Sequence, residues 1–291
     1  METIMTNGAG FFDMDAAPMR IDKVRLKVRD LDAVSKYYQA VLGLDEISKS
    51  AGQVVLGAGQ RPLLELTTEP NLAPNDRRQA GLFHTAFLMP TRADLADWLR
   101  HVAGQGVRLQ GASDHIVSEA LYLADPEGNG IEVYVDRPVS RWLDAAGHIQ
   151  MSTDPLDVDD LLAAARDQPW EQFPAQGSIG HVHLQVGDTA AADRFYRDVL
   201  GLVSTVDYPG ASFYGSGGYH HQLAGNIWNS RGAGQRPAGM AGLDAVEVSV
   251  RDAADIAKIV ARAEAAGIEP VKGSDGTTLR DPWGTSITLQ A

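Results

Sequence analysis

The stretch IDKVRLKVRD, residues 21–30, returns as IGHVHLQVGD, residues 179–188. The return decides the fold. Each copy alternates apolar and polar residues, the period of a half-buried strand. The match runs on at one constant offset without gaps. Ala33 meets Ala191, Tyr37 and Tyr38 meet Phe195 and Tyr196, and the run Val41 to Leu44 meets Val199 to Leu202. So each strand is followed by an amphipathic helix that stops at Gly43 or Gly201, where a left-handed cap is expected.

A related pair lies between and after these copies. Gly81 and Leu82 match Gly242 and Leu243. Residues 94–106 resemble 255–267, a helix ending in glycine. The turn Asp125-Pro126-Glu127-Gly128 matches Asp281-Pro282-Trp283-Gly284. Turn residues of this kind separate two strands. Before the first turn, residues 119–124 are rich in strand formers. After it, Ile131, Val133 and Val135 point one way, and Glu132 and Tyr134 the other. A mid-strand carboxylate among apolar neighbours is costly unless something neutralises it.

The expected fold is therefore α+β, with four strand–helix–three-strand units (βαβββ) in two tandem domains. The first domain covers residues 20–137 and the second 177–291. Residues 1–19 have no period and read as a mobile N-terminal arm. Residues 138–176 carry one short helical pattern, 156–165, and several prolines. They are too long and too apolar for a floppy tether and read as a packed linker.

Composition narrows the function. A net charge of -13 argues against nucleic acid or an anionic membrane surface as partner. No run is apolar enough to span a bilayer, and no signal-peptide pattern begins the chain. A cytoplasmic enzyme is expected. With no cysteine, any metal must be held by histidine and carboxylate.

This four-unit pattern resembles the vicinal oxygen chelate superfamily, the glyoxalase and extradiol dioxygenase group. Its two-domain, catechol-2,3-dioxygenase-like ring-cleavage branch is the most similar. The resemblance covers nearly the whole chain outside arm and linker. It implies curved mixed sheets that form cups around a metal, with ligands on the first and last strands of the units. The repeat offers an internal comparison. At the first-strand position unit two has His84 and unit three has His181, but unit one has Lys23 and unit four Ala245. At the last-strand position unit two has Glu132 and unit four Thr288. A protonated amine and a methyl group are no ligands. The expected set is His84, Glu132 and His181, two imidazoles and a carboxylate with open positions for Fe(II), or Mn(II). Unit two must then face unit three, whereas extradiol enzymes usually join units three and four. A competing cup would use Glu65, His84 and Glu132.

The resemblance also implies an acid–base on His221, with His220 beside it. If extended, these two neighbours point to opposite faces. It places His115 and Tyr122 against the ring oxygens of a catechol and suggests His183 as a supporting residue. Gln222 stands where similar enzymes carry a further histidine. Lys23, Phe213, Tyr134, Asn226 and Trp228 are candidates for the pocket wall. The activity implied is extradiol cleavage of a small aromatic diol by O2, with a homo-oligomer left open. A glyoxalase-type isomerase or lyase, or a metal-free resistance protein that binds small molecules, are the alternatives.

Overall fold

The computed structural model describes residues 4–291. Unit one comprises β1 (Met19–Lys27), α1 (Leu31–Tyr37), β2 (Asp45–Ser50), β3 (Gln53–Ala58) and β4 (Arg61–Thr67). Unit two comprises β5 (Gly81–Leu88), α2 (Arg92–Gly104), β6 (Gly111–Asp114), β7 (Ser118–Ala124) and β8 (Gly130–Asp136). The linker holds the short β9 (Asp154–Pro155) and α3 (Val158–Ala163). Unit three runs β10 (Ser178–Gln185), α4 (Thr189–Asp193), β11 (Val203–Tyr208), β12 (Ala211–Gly215) and β13 (Leu223–Asn226). Unit four runs β14 (Gly242–Val250), α5 (Ala253–Ala265), β15 (Val271–Gly273), β16 (Gly276–Arg280) and β17 (Ser286–Gln290). Both first helices of the repeat continue as a π turn, Tyr38–Leu42 and Arg194–Val199.

The strands form two mixed sheets, and neither sheet belongs to one half of the chain. One has the order β15-β16-β17-β14-β1-β4-β3-β2, so it joins units four and one. The other has the order β11-β12-β13-β10-β5-β8-β7-β6-β9, so it joins units three and two. The seam of the second sheet is the antiparallel pair β10–β5, with His183 opposite His84 and His181 opposite Ala86. Tyrosines in the two π turns tie unit one to unit two and unit three to unit four, within each half. Tyr38 of unit one reaches Asp125 in the turn of unit two, and Tyr196 of unit three reaches Asp281 in the turn of unit four. Each of these aspartates also accepts two backbone N–H groups of its own turn. Trp98 on α2 is fully buried and donates to the Val41 carbonyl at 2.8 Å. An indole hides roughly 200 Å² from water, worth about 5 kcal/mol. Among the described residues no helix is long and apolar enough to cross a membrane.

The N-terminal segment corrects the sequence expectation of a mobile arm. Residues 1–3 of it lie outside the described residues; of the rest, Phe12, Ala17 and Met19 are buried while residues 6–10 are exposed. Met5 N–H donates to the Gly217 carbonyl, and Phe12 is buried against Tyr219 and Trp142, with ring centroids at 4.6 and 6.2 Å. The segment has no period because it follows no sheet. Its burial is set by partners distant in sequence.

Candidate metal and substrate site

Three strands bring the candidate ligands together. β8 runs parallel to β5 with Glu132 beside Ala86, and β10 lies on the other side of β5 with His181 beside Ala86. His84 is two residues before Ala86 and therefore on the same face. The methyl group of Ala86 leaves the space between them clear. A bulge in β10 between Ile179 and His181 aims the His181 ring into that space. The bulge residue is Gly180, where a Cβ would stand 1.7 Å from the Tyr134 hydroxyl, so only glycine lets that tyrosine pack beneath the seam.

His84 Nε2 is 2.9 Å and His181 Nε2 3.2 Å from the same oxygen, Oε2 of Glu132. All three residues are buried, and their ligand atoms lie within 4.8 Å of one another. Three donors on one face of an octahedron, about 2.1 Å from a first-row ion, stand roughly 3 Å apart. His84 Nε2 is buried, and the Glu132 oxygen is the polar atom it faces. Burial pushes the His181 imidazole down to about 4, so it is neutral at pH 7. Burial opposes ionisation of Glu132, but the facing nitrogens of His181 and His84 hold its carboxyl well below the usual range. Among the described residues this trio is the one cluster that could hold a metal ion.

The competing ligand set does not assemble. Glu65 lies in the other sheet, where Lys23 Nζ sits 2.7 Å from it and 3.2 Å from Glu247. Lys23 is therefore no wall of the cavity. Nor are Asn226, which bonds His183 Nε2 at 3.0 Å, and Tyr134, which lies under His181.

A cavity of about 250 Å³ opens over the trio. His221 lines it, with its ring 4.1 Å from that of His181, and His183 lines it beside His84. Tyr122 on β7 and His115 in the loop before it form another edge. His115 Nδ1–H donates to the Ser152 carbonyl at 2.5 Å, which leaves Nε2 to accept from the Tyr122 hydroxyl at 2.6 Å. Burial first, and then Glu132, raise the Tyr122 phenol well above its ordinary value, so it stays protonated. The loop carries backbone strain, because Ile116, a β-branched residue, is held at φ 69°.

Phe213 and Trp228 line the cavity as expected, joined by Phe83, Tyr208 and the linker's Met151, Ser152 and Thr153. The linker residues had no sequence signal, since they meet the site through the pairing of the adjoining β9 with β6 and through bonds of Ser152 to Asp114 and His115. His220 and His221 do not point to opposite faces. They sit in a turn between β12 and β13 that follows Gly217 and Gly218, both at positive φ, and their Nδ1 atoms face each other at 2.9 Å. Gln222 has a structural place. Its amide donates to the Met19 carbonyl and its oxygen accepts from Ser216 N–H, which holds this turn.

Residues 20–133 and 178–289 both match the model of the Glyoxalase/Bleomycin resistance protein/Dioxygenase superfamily. Among curated proteins, catechol-2,3-dioxygenase of Bacillus subtilis (strain 168) is 37% identical over 267 residues, covering 90% of this chain and 93% of that protein. Biphenyl-2,3-diol 1,2-dioxygenase 3 of Rhodococcus globerulus is 30% identical over 114 residues, covering 38% of this chain and 60% of that protein. Among solved structures, glyoxalase I from Zea mays superposes with a TM-score of 0.58 at 17% identity, over 95% of this chain and 93% of its own.

Proposed function

Because the chain belongs to the glyoxalase, bleomycin resistance protein and dioxygenase superfamily, we propose that it opens a catechol-type ring beside its two oxygens, consuming O2. His84, Glu132 and His181 are the ligands of a divalent ion in this reading, Fe(II) first and Mn(II) second. The observation that carries it is the shared oxygen of Glu132, with two imidazole nitrogens at octahedral-edge distances. When bound there, such an ion supplies Lewis acidity to vicinal diol oxygens and a path for electrons to O2.

The protein groups divide the remaining work. His221 is the acid–base. Burial pushes its imidazole well below the ordinary range, so it meets the diol neutral and takes a phenolic proton. Tyr122 and His115 meet the other diol oxygen, whose hydroxyl donates to the Tyr122 oxygen while the Tyr122 hydroxyl donates to His115 Nε2. The phenol keeps its proton, and His115 is fixed in one tautomer by the Ser152 carbonyl. The aromatic wall of Phe83, Phe213, Tyr208 and Trp228 takes the ring and excludes water. Among the described residues no lysine or arginine lines the cavity, so a ring substituent carrying a carboxylate meets no cationic partner there, and an uncharged catechol is favoured.

Anaerobic loading with iron, followed by simple catechols and air, tests the reading. A yellow ring-opened semialdehyde should appear as O2 is consumed. Absence of O2 uptake with every catechol, together with no retained iron or manganese, rejects it. An isomerase of the same fold would act without O2.

A further inference from the structure

Behind His221 runs a line of buried groups that reaches the other half of the chain. His221 Nδ1 lies 2.9 Å from His220 Nδ1, and His220 Nε2 lies 2.9 Å from Asp136 Oδ1. Asp136 is the last residue of β8, the strand that carries Glu132. His220 is fully buried between Tyr219 and Trp142, with ring centroids at 4.0 and 5.0 Å. Phe12 covers Tyr219 from the outside. The N-terminal segment and the linker, which supply no metal ligand, thus seal this line from bulk water.

Proton bookkeeping fixes the order of donors. A carboxylate only accepts, so His220 Nε2 carries a proton for Asp136. A neutral His220 then has a bare Nδ1. Two ring nitrogens at 2.9 Å share one proton, so His221 Nδ1 must donate it. The lone pair of His221 is left on Nε2, for which no protein partner is found among the described residues, and the ring lines the cavity. Without Asp136 the order is free to reverse. His220 would donate from Nδ1, His221 would accept there, and its Nε2 would carry hydrogen and cease to be a base. The Tyr219 hydroxyl pairs with that of Tyr134 at 2.7 Å, and burial, with Asp136 beside it, raises its phenol well above the ordinary value.

We propose that Asp136 is a positioning residue that acts through His220 to hold His221 in the tautomer whose Nε2 faces the cavity bare. The consequence for turnover rests on the ring-cleavage reading; the tautomer itself does not. It is the logic of a base oriented by a third group, placed here behind a histidine pair.

The test uses full-length, metal-free protein labelled with 15N-histidine at neutral pH. Long-range 1H–15N spectra report which nitrogen of each ring bears hydrogen. Wild-type His221 should carry it on Nδ1. Asp136→Leu, which removes the acceptor, should move it to Nε2, whereas Asp136→Asn, which keeps an accepting oxygen, should preserve the wild-type pattern. In iron-loaded protein kcat should fall roughly 10²-fold for the leucine variant with KM little changed, and the asparagine variant should recover most of it. Hydrogen on Nε2 in the wild type overturns the proposal, and that spectrum decides even if Asp136→Leu does not fold. An unchanged His221 signal in folded Asp136→Leu overturns it equally. A wild-type protein with the expected tautomer that opens no catechol leaves this relay standing and removes the ring-cleavage reading.

Discussion

Lys23 Nζ lies 2.7 Å from Oε2 of Glu65, at the point of the eight-stranded sheet that corresponds to His84, Glu132 and His181 in the nine-stranded one. The registers agree. Glu65 pairs with Arg25 on β1 as Glu132 pairs with Ala86 on β5. One cup therefore retains its carboxylate and fills the cationic position with an ammonium. The other retains its carboxylate and supplies two imidazoles.

Replacing that ammonium should cost stability and spare the metal. Lys23→Ala leaves Glu65 and Glu247 facing each other with Arg25 as the remaining cation between them. A loss of roughly 1–3 kcal/mol is expected by urea unfolding, less than for a wholly unpaired buried charge. Iron content should match the wild type. Loss of iron in this variant would mean that the first and fourth units contribute to the centre.

His84→Ala removes one of the three proposed ligands. Metal affinity should fall by about 10²-fold or more, beyond the effect of losing a supporting group. Competition with a chelator measures it. Occupancy equal to the wild type would contradict the ligand set.

His221→Ala should keep the ion and lose turnover by roughly 10²–10⁴-fold, the span of general acid–base catalysis. The two readings come from the same sample, metal analysis and oxygen uptake. Full turnover would move the acid–base elsewhere, first to His220.

The metal-free protein should weaken in mild acid. His181 titrates at about 4 when folded against 6.5 ordinarily, and burial lowers His183 and His221 in the same direction. Between those values the unfolded chain binds a proton that the folded chain refuses, so stability falls as pH drops from 6.5 toward 4 and is unaffected above 6.5. From pH 7.5 to pH 5 the unfolding free energy should decrease by about 2 kcal/mol from His181, with His183 and His221 adding in the same direction. His183→Gln should flatten the slope. A slope unchanged by that substitution would show that His183 is not held neutral by burial.

The units, their helices and the meeting of His84, Glu132 and His181 were legible because the chain compares itself with itself. Lys23, His84 and His181 occupy one repeat position, and the chemistry of the three side chains sorts them. Three features were not legible. Phe12 and Trp142 lie in aperiodic segments, and their burial depends on Tyr219, far away in the sequence. The paired Nδ1 atoms of His220 and His221 arise from a glycine turn, whereas strand geometry would have separated them. Met151 to Thr153 reached the cavity through sheet pairing that no local pattern announces.

Oxygen uptake tests the central claim most directly. Protein loaded anaerobically with one equivalent of iron and mixed with an uncharged catechol should consume one O2 for each ring-opened product formed. Iron held firmly at His84, Glu132 and His181 with no oxygen consumed for any catechol would contradict the account.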